Sequence, residues 1–208
     1  MLIRRAKPAA GFTMIELMVT LGIFAILTAV AVPTMRTWVA NNKVRTVSDA
    51  LQNGLRLAQA ESLRRSRQVV FALTNSTTPD TKPVAAAANA TSWAIWTVPS
   101  MTDGSENPLF VQSGVLSSAS AGVNVNSNGM AVACFNSMGR VVANANASVI
   151  LITGGATCAP LTGTPPAQIF TISATGADRP LQVTLGAGGT IHMCDPAVPI
   201  SDSHPEGC

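Results

Sequence analysis

The sequence has no tyrosine, only two histidines and few charges: 11% of its 208 residues are charged, against 47% that are hydrophobic. That balance fits one modest domain joined to a membrane segment. It contains no nucleophile elbow, no Walker loop and no H-E-x-x-H element, and no internal repeat. His192 lies in an expected strand and His204 in a Pro-rich tail. A Ser-His-Asp set can be drawn among the many serines, but nothing selects one. The reading is therefore not an enzyme and requires no cofactor; a signal-anchored envelope enzyme is the alternative from a different class.

What is present begins at "GFTMIELMVTLGIFAILTAVAVP". The run from Phe12 to Val32 has the roughly 20 apolar residues that a helix needs to cross a hydrocarbon core. Arg4, Arg5 and Lys7 precede it, with no acidic residue before Gly11. The positive-inside rule then keeps this end cytoplasmic and exports the rest. An ordinary secretory signal has a short apolar stretch of about 7–15 residues followed by a small-residue cleavage site. Here the small residue, Gly11, comes first, so a cut between Gly11 and Phe12 removes only the basic leader and leaves the helix in place. Within the run sits Glu16, where a charge at mid-bilayer costs roughly 2.5–3.5 kcal/mol on translocon scales. Such a cut would create an amine at Phe12, one turn before Glu16, and pairing with an ammonium is how a carboxylate survives in an apolar bundle. The competing reading is a simple anchor carboxylate near the headgroups.

Beyond Pro33 the pattern changes. Ala40, Val44, Val47, Leu51, Leu55, Ala58 and Ser62 recur at three- and four-residue spacing between polar residues, which predicts an amphipathic helix. Pro33 is expected to kink the rod rather than end it. A helix over 12–67 is then about 80 Å long, and only its second half can pack on a head. From 68 to 208, "QVVFALT", "SWAIWTV", "LFVQSGVL", "GMAVACF", "SVILIT", "QIFTIS" and "LQVTL" predict strands separated by Gly, Pro, Asn and Ser clusters. The fold class is α+β, with one long helix on an antiparallel β head. The low-complexity "TPDTKPVAAAANA" is expected as an exposed loop.

Charge is zoned along the chain. Removing the leader's three cations takes the formal charge from +3 to about zero. The head carries Lys82, Arg140 and Arg179 against Asp80, Asp103, Glu106, Asp178, Asp195, Asp202 and Glu206. A nucleic-acid partner is disfavoured, since phosphate neutralisation needs the opposite sign. The "RRSR" cluster is expected as a solvated helix end near the C-terminal dipole. All four cysteines, Cys134, Cys158, Cys194 and Cys208, lie in the exported part, where disulfides are favoured over metal. Of the three possible connectivities, Cys194 with Cys208 is preferred because it closes an otherwise frayed tail, leaving Cys134 with Cys158. A zinc site from His192, Cys194, His204 and Cys208 matches no standard spacing, so no metal is expected.

The N-terminal stretch resembles a type IV prepilin signal: basic leader, Gly11 before the cut, Phe12 as the N-methylated N-terminus, Glu16 as the acidic residue, and Pro33 where pilins often break the helix. The resemblance implies the type IV pilin fold and makes Glu16 an assembly register facing a neighbouring subunit. It implies three segments: a leader (1–11), a helix (12–67) whose residues 12–32 span the membrane, and a periplasmic head (68–208) with a disulfide-tethered tail. "FNSMGRVV", with Phe135, Gly139 and Arg140, resembles a motif of the GspH/FimT family, and "GGTIHMCDP" resembles that family's last strand. The family comprises minor pilins and H-type pseudopilins of type II secretion. The implied partners are a prepilin peptidase, other pilin or pseudopilin subunits, and the inner membrane before incorporation into a pilus or pseudopilus. A minor pilin is the preferred reading, and an H-type pseudopilin the second. DNA-uptake members carry Gly-Arg-x-Arg in the last strand. Gly189, Thr190, Ile191 and His192 stand there in this chain, which argues against a DNA receptor. Arg140 then reads either as part of the motif or as a solvated hairpin residue.

Overall fold

The computed structural model describes residues 11–80, 84–99, 106–116, 122–144, 152–153 and 158–208. One helix, α1 (Met14–Arg65), runs for 52 residues with Pro33 inside it, or about 78 Å at the standard rise. Thr13 caps its start, its hydroxyl accepting from the Glu16 N–H at 3.3 Å. Ser66 ends it in the left-handed conformation, its N–H donating to Leu63 and Ser62 carbonyls. Both ends therefore lie two residues inside the expected 12–67.

The two halves of α1 meet different surroundings. Ala40, Val44, Val47, Ser48, Leu51, Gly54, Leu55, Ala58 and Ser62 form one buried stripe, as three- and four-residue spacing requires. None of the most apolar 18-residue window is buried, and its mean hydropathy is 2.3.

Ten strands follow: β1 (Val69–Thr74), β2 (Val84–Ala85), β3 (Ser92–Thr97), β4 (Phe110–Val115), β5 (Val123–Asn126), β6 (Val132–Phe135), β7 (Ile152–Thr153), β8 (Ala167–Ala174), β9 (Leu181–Gly186) and β10 (Ile191–Cys194). They form two antiparallel four-stranded sheets, β4-β3-β1-β6 and β10-β9-β8-β5, and a short parallel pair, β2-β7. Both large sheets pack on the buried stripe of α1. This is the expected α+β architecture: one long N-terminal helix against antiparallel sheets.

Side-chain shape decides the closest contacts. In the first sheet β1 and β3 are buried at every position, so their alternation is hidden. Trp93 of β3 fills the space between helix and sheet edge and stacks on Phe71 at 5.8 Å. A Cβ on Gly54 of α1 would lie 2.9 Å from its ring, and one on Gly114 of β4 2.5 Å. Those two glycines are small so that the indole can be large. In the second sheet β8 alternates, burying Gln168, Phe170 and Ile172.

Several expectations need correction. β5, "VNVN", was not among the expected strands; only Val125 of it is buried. "TPDTKPVAAAANA" is not simply an exposed loop, because Val84 and Ala90 are buried and β2 lies within it. β6 starts three residues after Gly129, since Asn128 and Gly129 take positive φ in a turn closed by Met130 N–H on the Ser127 carbonyl. Most of "SVILIT" lies outside the described residues. The "RRSR" cations are not merely solvated: Arg64 and Arg65 both bond Glu61 at 2.7 Å, and Arg67 pairs with Glu106. Hydrogen bonds from Arg64 first and then Arg65 hold the Glu61 carboxyl below the usual carboxylate range.

The four sulfurs are joined as Cys134–Cys158 and Cys194–Cys208, with Cα separations of 5.7 and 5.2 Å. The first bond ties the core of β6 to the segment before β8. The second closes a tail that is already hydrogen-bonded: Asp195 N–H donates to the Glu206 carbonyl at 2.7 Å, and Cys208 N–H to the Asp195 and Val198 carbonyls. Closing a loop of about 15 residues stabilises by roughly 3 kcal/mol in the chain-entropy account. Cys208→Ser is therefore expected to raise protease cleavage after Asp195 while the near-ultraviolet circular dichroism of the head persists. Loss of that signal would mean that the tail holds the whole sheet.

Candidate functional site

Two regions carry the expected site residues: the exposed half of α1 and the hairpin that contains Gly139 and Arg140. In the first, Phe12, Met14, Ile15, Leu17, Met18, Val19, Leu21, Ile23 and Phe24 are all exposed. This is a contiguous apolar surface far beyond what a soluble monomer normally shows. Its hydroxyls are satisfied within the helix. Thr20 donates to the Leu17 carbonyl, Thr28 to Phe24 and Ala25, and Thr34 to Ala31, each at 2.8–3.0 Å. Such back-bonding lets a threonine sit in an apolar medium.

Glu16 is then the one ionisable side chain between Gly11 and Arg36. It is in the first turn, where the helix dipole favours a carboxylate. Among the described residues its carboxylate has no partner; only its backbone N–H is engaged, by Thr13. Thr13 was not singled out from the sequence, although Thr-x-x-Glu is the spacing of a capping box. Gly11 and Phe12 precede the helix in exposed, non-helical backbone, which is accessible to a processing enzyme. Pro33 lies on the exposed half, seven residues before the first buried position, Ala40.

The second region is built differently. Phe135 is fully buried, at the end of β6. The chain turns back at once: the Asn136 side chain accepts from Met138 and Arg140 N–H groups, and Asn136 N–H donates to the Arg140 carbonyl. Gly139 has φ +72°, a region that glycine occupies without a Cβ penalty. The turn between β9 and β10 comes alongside, with Val141 N–H donating to the Ala187 carbonyl. Gly189, also at positive φ, has no room for a side chain, since a Cβ would lie 2.2 Å from the Gly139 carbonyl oxygen.

A residue the sequence did not reveal closes this junction. Gln59 of α1 donates its amide to both the Gly139 and Gly189 carbonyls, each at 2.9 Å. One side chain thus joins the helix to hairpins of two sheets, 80 and 130 residues away in sequence. No local pattern announces such a contact. Phe135 and Gly139 are accordingly structural, and Arg140 is exposed with no side-chain partner among the described residues.

The last strand offers little to a polyanion. Thr190 and His192 are exposed, and the His192 ring lies 3.0 Å from the Thr184 hydroxyl. No group of three His, Cys, Asp or Glu among the described residues could hold a metal ion. The sulfurs that the zinc alternative needs are bonded to each other.

Residues 6–32 match the family described as the prokaryotic N-terminal methylation motif. No curated protein matches the chain. Among solved structures it is similar to the type IV minor pilin FimU of Pseudomonas aeruginosa (14% identity, 77% of this chain and 96% of that one, TM-score 0.47). It is also similar to the minor pseudopilin EpsH from the type 2 secretion system of Vibrio cholerae (11%, 75% and 99%, 0.42) and to GspH of E. coli (10%, 76% and 91%, 0.42).

Removing the Gln59 amide leaves two enclosed carbonyls short of a donor, at about 1–3 kcal/mol for each group fully deprived. Gln59→Ala should lower the urea midpoint of the head clearly. Gly189→Ala should lower it further, because it adds a clash and a strained φ, whereas Arg140→Ala should leave it unchanged. A large loss for Arg140→Ala would show that its side chain supports the hairpin after all.

Proposed function

We propose that the chain is a structural subunit of a type IV pilin-like filament and, within that class, a minor pilin that primes or caps the assembly. The observation that carries this reading is the pairing of the N-terminal methylation motif with a helix half that stays wholly exposed while the other half is built into the head. An apolar surface of that size needs a medium, first a bilayer and then the helices of other subunits.

In this reading a prepilin peptidase cuts between Gly11 and Phe12, and the new amine of Phe12 is methylated. Before assembly the helix holds the subunit in the inner membrane, with the head in the periplasm. In the filament, Glu16 meets the terminal ammonium of a neighbouring subunit and fixes the axial register. Pro33 gives up one helix hydrogen bond on the exposed side of the head, which leaves the two halves of α1 free to adjust to each other. The head is the surface presented for twitching motility or adhesion. An H-type pseudopilin of a type II secretion system is built on the same plan and differs only in its partners.

Two tests separate these steps. Gly11→Val should accumulate uncut precursor, because bulk before the scissile bond obstructs the peptidase, and mature protein should begin at a methylated Phe12 by mass spectrometry. An N-terminus near Ala31 would instead mark an ordinary secreted protein. Glu16→Ala should be processed normally yet fail to enter filaments, since breaking a well-buried ion pair costs about 3–5 kcal/mol. Unchanged incorporation would leave Glu16 as an anchor residue only.

A further inference from the structure

The two ends of the head present opposite charge beside exposed apolar side chains. Where α1 stops, Leu63 and Met138 are exposed. Both border the Gly139 hairpin: Met138 precedes the glycine, and a Cβ on Gly139 would lie 3.4 Å from the Leu63 side chain. Around them Glu61 is held by Arg64 and Arg65, and Arg67 pairs with Glu106. Arg140 is left over, an exposed cation with no side-chain partner among the described residues. The tail is the reverse case. Ile200 is exposed, and the turn after it, closed by backbone hydrogen bonds between Ser201 and His204, carries Asp202. Asp195 and Glu206 share a groove with Arg45 and Arg179, and Glu206 also meets His204. Asp202 is exposed, and its carboxylate has no partner among the described residues.

The two surfaces lie at different heights on one rod. Asp195 and Glu206 of the tail line their groove with Trp38, Asn41 and Asn42 of α1, whereas the Gly139 hairpin is held by Gln59. From Asn41 to Gln59 is about 27 Å along the helix. Complementary patches at opposite ends of one molecule make a heterologous contact, which joins copies head to tail and propagates instead of closing a two-fold dimer.

We infer that copies of this chain stack head to tail, with Ile200 and Asp202 in the tail of one copy seated on Leu63, Met138 and Arg140 of the next. Asp202 faces Arg140, the two charges that each copy leaves unpaired, and the exposed apolar side chains cover one another beside them. Two copies resting at equal depth in a bilayer hold these surfaces about 27 Å out of register. The contact therefore forms only after one copy has been drawn out along its axis, and it then holds that copy on the one still at rest. The inference rests on the filament reading of α1 and adds the head surfaces through which copies meet.

All four cysteines are bonded, so added thiols are the reactive ones. The test uses the full chain carrying Met138→Cys and Ile200→Cys, with a dimaleimide too short to link both positions within one head. Sheared filaments should give a ladder of crosslinked copies, and the membrane fraction should give monomer. Arg140→Asp in that background should lower the ladder yield roughly fivefold, the upper value for an exposed ion pair, and Arg140→Asp with Asp202→Arg should restore it. Without added cysteines, Arg140→Asp should lower the number of copies per filament by a similar factor, and Asp202→Arg beside it should recover them. Filaments that contain the chain but give no ladder, a ladder equally strong in the membrane fraction, or yields and copy numbers indifferent to the charge reversal overturn the stacking and leave the filament reading standing. Absence of the unsubstituted chain from filaments overturns both.

Discussion

Both sheets of the head depend on one stripe of one helix. From Ala40 to Ser62 the same buried face of α1 receives β1 and β3 of the first sheet and β8, β9 and β10 of the second. Among the described residues the two sheets share no strand pairing, and the stripe of the helix packs against both. Its small residues set how closely they approach. Gly54 admits the Trp93 indole, while Ala58 and Ser62 keep the last two turns narrow where Gln59 reaches across to both hairpins. Because the stripe belongs to the same helix that carries the exposed apolar half, the head cannot be repositioned on α1 without moving relative to that half.

That constraint gives Gln59 and Asn41 related roles at the two ends of the seam. Asn41 donates its amide to the Asp178 carboxylate at 2.6 Å and accepts from the Asp178 and Arg179 N–H groups. It grips the turn between β8 and β9 at the level where burial begins. Gln59, five helical turns later, grips the turn between β9 and β10 and the hairpin after β6. Apolar packing is non-directional and would tolerate sliding by a turn. Two amides bound to specific carbonyls and N–H groups do not, so they fix the register that the hydrophobic stripe leaves loose.

The sequence made the helix legible because its signals are local: an apolar run with a single ionisable residue, then a polar-apolar period, with only Thr13 and Ser66 left to mark the ends. The fully buried strands β1 and β3 were legible for a related reason, since VVFALT and SWAIWT are short and rich in β-branched and aromatic residues. β5 was not, because "VNVN" buries only Val125 and owes its strand to pairing with β8. Nor was β2, a two-residue strand whose partner lies 68 residues away at Ile152. Of the candidate site, Gly11, Phe12 and Glu16 lie within one short window, so the expectation placed on them needs no distant contact. The Gly139 hairpin could be read only as a motif. Its reasons for being glycine are a positive φ and the Gln59 and Leu63 side chains of α1, 3.2 and 3.4 Å from where a Cβ would lie, which no sequence spacing connects to the hairpin.

The capping geometry bears on the carboxylate within the apolar run. A glutamate at the third helical position commonly returns to the N–H of its own cap and is thereby satisfied within the chain. In this structure the Thr13 hydroxyl takes the Glu16 N–H, while the Glu16 carboxylate makes no hydrogen bond to any described residue. In water that is unremarkable, because solvent supplies the partners. Inside an apolar bundle it is not sustainable, because burying an ionised carboxylate without a donor or a counter-charge costs far more than burying a neutral polar group. Every other polar side chain from Thr13 to Thr34 is satisfied by its own helix. The exposed half of α1 is therefore ready for an apolar medium at every position except one. Any counter-charge for that carboxylate has to come from outside residues 12–35, which hold no other ionisable side chain.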